Sequence, residues 1–309
     1  MAEIVVIGGG LAGLSAARQA TRLGRLVTLF EGSGMYGGQV ATAEQVDGLG
    51  VPGPLSGQDV AIHLLEEARK TGVQVIETPI VSVEAGDQLT ITDEEGRSYH
   101  PEAIVVASGA HARKLGVPGE DDYAGRGLSH CATCDGGFFR GEDVAVIGGG
   151  DAAVTEALVL TRMSRTVHIV SRSPLRAKRE YIEKIDLKEN IRFVWESEVV
   201  GILGEDSVTG LSLRNVRTGE ISELPCAGLF PYIGTEPNGA FLPASLLAPS
   251  GHVVTGADGA TADPRIFAVG AVRQGYGGNI AQAMAEGISA AEAATRLIVG
   301  RSARQPVAA

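Results

Sequence analysis

Two thiols three positions apart, Cys131 and Cys134 in the stretch GLSHCATCDGGFF, are the residues of this 309-residue chain best suited to chemistry. Thiols at that spacing can form a redox-active pair, supply half of a zinc site, or fill space as two small apolar residues. A structural zinc site needs four ligands, usually a second cysteine pair or two histidines. The third cysteine, Cys226, stands alone in ELPCAGLF, and none of the six histidines forms a His-x3–5-His pair. Zinc therefore lacks ligands, and Cys226 reads as core. Asp135 directly follows Cys134, where a carboxyl group could move a proton to or from a leaving thiolate; its other reading is a helix cap or a surface charge. His130 could compete for that proton but reads as a structural neighbour. If CATC opens a helix, the helix N-terminus lowers a thiol pKa, and the thiolate is the species that attacks a disulfide.

The elements that must position these thiols are announced by a repeat. IVVIGGGLAGLSAA at Ile4–Ala17 returns as VAVIGGGDAAVTEA at Val144–Ala157. Each copy is an apolar strand, a glycine turn and an Ala-rich segment of helical period. Gly8, Gly10 and Gly13 in the first copy correspond to Gly148, Gly150 and Ala153 in the second. Each is followed by a second strand, RLVTLFE ending at Glu31 and RTVHIVSR reaching Ser171, and both endpoints lie 18 residues past the third motif position. That spacing fits a dinucleotide-binding βαβ unit twice, since the glycines let backbone N–H groups at a helix N-terminus approach a pyrophosphate. The residue closing the second strand selects the nucleotide. Glu31 can accept hydrogen bonds from an unphosphorylated ribose, as in FAD or NAD. Ser171, followed by Arg172 and Arg176, removes the repelling acid and supplies guanidinium groups for a 2′-phosphate, as in NADPH.

Further along, QLTITDEEGRSYHPEAIVVASGA reads as short strands and a turn, then a buried strand ending at Ala107–Ser108–Gly109, and AGLFPYIGTEPN ends similarly at Ile233–Gly234. The C-terminal RIFAVGAVRQGYGGNIAQAMAEGISAAEAATRLIVG reads as a strand, a Gly-rich loop and a long helix with no nucleotide motif of its own. It should complete the first unit. The expected fold is α/β, two Rossmann-like dinucleotide-binding domains in three ββα layers. The first comprises 1–112 and 243–309, and the second, 113–242, is inserted into it and carries the CxxC pair.

Composition narrows the class. With 44% hydrophobic and 20% charged residues and no apolar run of membrane-spanning length, the chain reads as globular, with no membrane partner. Twenty-six basic against 37 acidic residues give a net charge of -11, which argues against nucleic acid. The N-terminus MAEIVVIGGG has no basic n-region or cleavage pattern, so a cytoplasmic location is expected. In that compartment three cysteines make no disulfide framework, and a disulfide would be a transient, working one.

Taken together, GGGLAG with Glu31, GGQV at Gly37–Val40, VVASGAHARKLGVPGE, GRGLSHCATCDGGFFRGEDVAVIGGGDAA and IFAVGAVR resemble the low-molecular-weight thioredoxin reductase family over nearly the whole chain. The resemblance implies a homodimer that binds FAD and NADPH and passes electrons to thioredoxin or a similar small dithiol protein. It implies that Cys134 faces the flavin, that Cys131 attacks the substrate disulfide and that Asp135 is the acid–base group. Its implied FAD contacts are Gly8, Gly9, Gly10, Leu11, Ala12, Gly13 and Glu31 in the first motif, then Gly38, Gln39, Val40, Ile80, Ala107 and Gly109. Gly270, Ala271, Asn279 and Ile280 complete that set. The implied NADPH contacts are Gly148, Gly150, Asp151, Ala152, Ala153, Ser171, Arg172, Arg176, Ile233 and Gly234; no metal is implied. The chain departs from the family pattern in four places. Ala271 replaces the usual Asp of a GD pair, VDGLGVPG replaces an ENWPG-like stretch, Gly278–Asn279–Ile280 replaces an RQA before the last helix, and SRSPLR shortens an arginine motif, with Ser173 where Arg is usual. The shortened motif leaves room for a second reading, a relative fed by another electron donor or acting as a dithiol oxidase; a third is a non-catalytic redox-sensing module.

Overall fold

Apolar runs such as IVVI and AIVV have no polar face to offer water, so they are stable as strands only where helices or a second sheet cover both sides. The computed structural model, which describes residues 2–43, 46 and 55–302, places them there. In chain order the first part contains β1 (Ile4–Ile7), α1 (Leu11–Arg22), β2 (Val27–Phe30), α2 (Gly57–Lys70), β3 (Gln74–Ile76), β4 (Ile80–Ala85), β5 (Leu89–Asp93), β6 (Ser98–Tyr99), β7 (Ala103–Val106) and β8 (Ala110–Ala112). The middle part contains α3 (Ala132–Asp135), β9 (Asp143–Ile147), α4 (Asp151–Leu160), β10 (Thr166–Ser171), α5 (Arg179–Asp186), β11 (Ile191–Trp195), β12 (Ser197–Gly204), β13 (Val208–Asn215), β14 (Ile221–Pro225) and β15 (Gly228–Pro231). After β16 (Thr235–Pro237) come β17 (Ile266–Ala268) and α6 (Ile280–Ser302).

The chain divides into two units, 1–111 with 236–309 and, inserted between them, 112–235. The return to the first unit falls at Glu236, seven residues before the expected 243, because Asn238 already hydrogen-bonds into the first unit through Ser108 and Gly109.

In the first unit β1 sits centrally in a parallel sheet of order β17-β7-β1-β2-β3. The helices cover one face, burying Leu14, Ala16 and Ile298 with Val6 and Val105. The antiparallel β4-β5-β6 meander covers the other, burying Val83, Leu89 and Ile91 against Val5, Ile7 and Phe30. Each fully buried aliphatic side chain contributes about 1.5–3 kcal/mol. α2 starts where Ser56 and Asp59 form a reciprocal capping box. The inserted unit repeats the plan with the parallel sheet β11-β10-β9-β15, α4 and α5 on one face and the β12-β13-β14 meander on the other. Both units are therefore three-layer ββα, as the repeat predicts. Among the described residues no helix is long and apolar enough to cross a membrane.

Candidate active site

The first glycine motif builds an anion cradle by leaving room and leaving donors free. Gly10 caps α1 with no side-chain hydrogen bond, no acidic residue occupies the first turn, and a Cβ at Gly10 would meet nothing within 4 Å. Leu11 and Ala12 are nevertheless buried, at 3% and 7% exposure. The first N–H groups of a helix have no intrahelical partner, and here they face open space at the positive end of a twelve-residue helix. Gly13 is needed for close packing, since a Cβ there would lie 1.9 Å from the Gly8 carbonyl oxygen.

Glu31, 7% exposed, closes the strand beside this cradle. Its Oε2 accepts the Gly9 N–H at 2.6 Å, and its Oε1 accepts the Ser33 N–H and Oγ–H, each at 2.6 Å. A carboxylate has about four acceptor sites, so the fixed group keeps capacity for ribose hydroxyls. Ala107 backs the Gly8 turn, Gly38 and Val40 lie in a short 3₁₀ turn, and the Gln39 amide donates to the Ala110 carbonyl at 2.6 Å. These residues fit a dinucleotide such as FAD.

The other expected contacts have varied surroundings. Ile80 is packed in the apolar layer with Phe30 and Ile91. The Asn279 side-chain oxygen accepts the Gln282 N–H at 3.2 Å and so caps α6, which begins at Ile280. Gly109 has φ +68° with open space around it. Beside the position where the family has Asp and this chain has Ala271, the Gly270 N–H donates at 2.9 Å to Glu286. Glu286 also accepts from Arg273, including Nε at 2.9 Å, and from Gln282 at 2.7 Å. Burial alone would raise the Glu286 carboxyl, but Arg273 and these donors hold it below the usual carboxylate range. Of the altered VDGLGVPG stretch only Val46 is among the described residues.

The second motif repeats the cradle with a different rim. Gly150 caps α4 with no side-chain bond, and a Cβ at Gly148 would meet the Tyr232 carbonyl oxygen at 2.3 Å, so β15 closes tightly behind the turn. Asp151, in the first turn of α4, accepts the Lys178 N–H at 2.7 Å and thereby pins the 172–178 loop. The Arg176 N–H donates to Gly149 at 2.7 Å, and the Ser171 hydroxyl to Ser173 at 2.7 Å. Arg172 and Arg176 are exposed with no ion-pair partner among the described residues, as guanidiniums awaiting a phosphate would be. Ala152 is exposed on α4 while Ala153 packs inside, and Gly234, at φ +110°, follows Ile233. These residues fit a pyridine dinucleotide.

Cys131 and Cys134 are joined as a disulfide across a Cα–Cα distance of 5.3 Å. Cys131 is the N-cap of α3 and half-buried; Cys134 is exposed, and its N–H donates to the Cys131 sulfur at 3.1 Å. That amide is placed to stabilise a thiolate on Cys131 once the bond is reduced. Asp135 is held by Ser129, a buried residue whose hydroxyl donates to the carboxylate at 2.6 Å and accepts the Cys131 N–H at 3.1 Å. Behind the first turn, Glu156 of α4 accepts the Ala132 N–H at 3.0 Å and the Tyr232 hydroxyl at 3.2 Å. Ser129 lies beside the motif but carries no pattern of its own, and Glu156 and Tyr232 lie 24 and 100 residues from Ala132 in sequence, beyond any local signal. Cys226 is buried, and burial pushes its thiol up to about 12, so it is an inert core residue. No group of metal-ligating side chains occurs among the described residues.

The family described as pyridine nucleotide-disulphide oxidoreductase matches residues 2–287. A thioredoxin reductase from Treponema pallidum is 36% identical over 298 residues, 96% of this chain and 97% of that protein. This chain belongs to the thioredoxin reductase family of pyridine nucleotide-disulphide oxidoreductases. A family member from Streptomyces coelicolor is 39% identical over 255 residues, 81% of this chain and 79% of that protein. The solved thioredoxin reductase of Lactococcus lactis, in its FR conformation, superposes with a TM-score of 0.90 at 35% identity, covering 97% of this chain and all of that one. Family membership accounts for the combination of two nucleotide cradles and one disulfide.

Proposed function

We propose that this chain is an FAD-dependent disulfide reductase that takes electrons from NADPH, passes them to the Cys131–Cys134 disulfide and reduces a protein disulfide, thioredoxin being the substrate. The observation that carries the reading is the disulfide itself, held at the N-cap of α3 with the Ser129–Asp135 hydrogen bond beside it. In this reading the first unit holds FAD through the Gly8–Gly13 cradle and Glu31, and the inserted unit holds NADPH through Gly148–Ala153, Arg172 and Arg176. Bound FAD supplies the two-electron relay between nicotinamide and disulfide.

The chain's own groups do the rest. The disulfide takes up two electrons and two protons and opens to two thiols. Cys131, its thiolate stabilised by the Cys134 N–H, attacks the substrate disulfide and releases one substrate thiolate. Asp135 moves a proton to a leaving sulfur, and Cys134 then attacks Cys131, releasing the second substrate thiol and re-forming the bond. A homodimer is part of the same proposal and rests on the resemblance.

Anaerobic titration tests it. NADPH added to the FAD-loaded protein should bleach the flavin within seconds, expose two alkylatable thiols and sustain thioredoxin reduction. A flavin that stays oxidised with NADPH and NADH but is reduced by a dithiol or a ferredoxin-like donor would transfer the chain to the second reading. An inert flavin and dithiol would end both.

A further inference from the structure

The dithiol's mechanism leaves unused a carboxylate lying directly behind it. Glu156 projects from α4, the helix that opens on the second glycine cradle, and its Oε2 takes two donors, the Ala132 N–H at 3.0 Å and the Tyr232 hydroxyl at 3.2 Å. Ala132 is fully buried, and its nitrogen is bonded to the carbonyl carbon of Cys131, so the carboxylate sits one peptide unit from the cysteine assigned to attack. Tyr232 leaves β15 where its carbonyl backs Gly148. Burial, followed by the Glu156 carboxylate, raises the Tyr232 phenol, so it remains a donor throughout the working range.

A neutral acceptor would satisfy the Ala132 N–H equally well. The negative charge therefore does something the hydrogen bond alone does not require: it opposes a second negative charge forming on the neighbouring sulfur. Asp135 is tied to Ser129 and serves proton transfer, whereas Glu156 accepts from the Ala132 N–H and the Tyr232 hydroxyl. We propose that Glu156, steadied by Tyr232, is a positioning residue that seats the first turn of the CxxC helix and restrains the reactivity of Cys131, keeping the disulfide form favoured over the dithiol. The inference rests on the dithiol being the working centre of the proposed function.

The test uses full-length, FAD-loaded protein and two readouts that need neither NADPH nor thioredoxin: the rate of iodoacetamide alkylation of Cys131 after reduction, and the equilibrium of the disulfide with a glutathione redox buffer. Glu156→Gln keeps the acceptor and removes the charge. It should speed alkylation about tenfold, the size of one pKa unit, and shift the equilibrium about tenfold toward the dithiol, which corresponds to about 30 mV. Tyr232→Phe keeps the charge and removes the donor that disperses it, so it should slow alkylation and shift the equilibrium the other way. Opposite shifts support the proposal, because simple loosening of the turn would move both variants in one direction. Any other pairing overturns it; if Glu156→Gln does not fold, Tyr232→Phe decides alone, and alkylation as fast as in the unaltered protein or faster refutes it. If instead the unaltered disulfide cycles with glutathione yet NADPH never reduces it, the proposed function fails while this inference still has its answer.

Discussion

Cys131 and Cys134 are chemically alike and differ in what surrounds them, so serine replacements should separate their roles. Cys131 receives an amide hydrogen bond and Cys134 is more exposed. Either replacement should reduce thioredoxin turnover by more than about 100-fold, because thiol–disulfide exchange needs both the attacking and the resolving sulfur. Cys131→Ser should leave Cys134 free to interact with oxidised flavin and give a long-wavelength absorbance band; that band arising from Cys134→Ser instead would reverse the two roles. Ser129 offers a subtler case. Its hydroxyl joins the Asp135 carboxylate to the Cys131 backbone, so Ser129→Ala should lower kcat about tenfold, a fraction of what general acid–base catalysis contributes, with KM for thioredoxin unchanged. Ser129→Thr retains the hydroxyl and should restore most of the rate. A KM effect without a kcat effect would mean that Ser129 shapes a docking surface instead.

At the scale of elements, the proposed choice of nucleotide turns on the 172–178 loop. Arg172 and Arg176 project from a loop fixed by Asp151 to Lys178 and by Arg176 to Gly149, and neither arginine is otherwise paired among the described residues. Charge-assisted bonds of this kind are worth about 1.5–3 kcal/mol each. Changing both arginines to Ala should therefore raise KM for NADPH by at least about tenfold while leaving NADH kinetics nearly unaltered; equal losses for both nucleotides would place the arginines outside the phosphate site. A second element-scale prediction concerns the ends of β9 and β10. Arg165 forms a bidentate pair with Asp143 at 2.9 and 2.8 Å and holds its carboxyl down to about 2, below the unfolded value near 3.9. Stability from this pair is present above about pH 4 and is lost as pH falls toward 2. Asp143→Asn should flatten the acid limb of a thermal-stability profile over that window, and an unchanged limb would show that other carboxylates dominate. These elements were legible in sequence wherever a local pattern specified them: β1, α1, β9 and α4 follow from the doubled motif, and α6 from its Ala-rich period. What local pattern could not show was pairing across distance. Asn279 became a helix cap through Gln282, Ile80 joined the apolar layer because β4 packs under β2, and Glu156 reached the CxxC turn only because α4 lies behind α3. The return to the first unit at Glu236, where the sequence reading has 243, has the same origin, since the bonds that draw Asn238 back run to Ser108 and Gly109.

For the whole molecule, the division into two units with separate cores has a thermodynamic consequence. Unit one buries its apolar residues in two layers of its own, and the inserted unit does likewise, so each can be stabilised by its own ligand. A ligand that binds only the folded form adds RT ln(1 + [L]/Kd), about 2.7 kcal/mol at a hundredfold excess over Kd. FAD, held by the Gly10 cradle and Glu31, should then raise the unfolding temperature of the first unit, and NADP⁺, held by the Gly150 cradle and the two arginines, that of the inserted one. The assignment can be read without activity, by following proteolytic or hydrogen-exchange protection of β1 and α1 against that of β9 and α4 as each nucleotide is added. FAD should protect the first pair strongly and NADP⁺ the second. Arg172→Ala with Arg176→Ala should abolish the NADP⁺ effect and spare the FAD effect, since both substituted side chains belong to the inserted unit. Protection of both units by NADP⁺ alone, undiminished in that double variant, would show that the two glycine motifs do not divide the nucleotides as proposed.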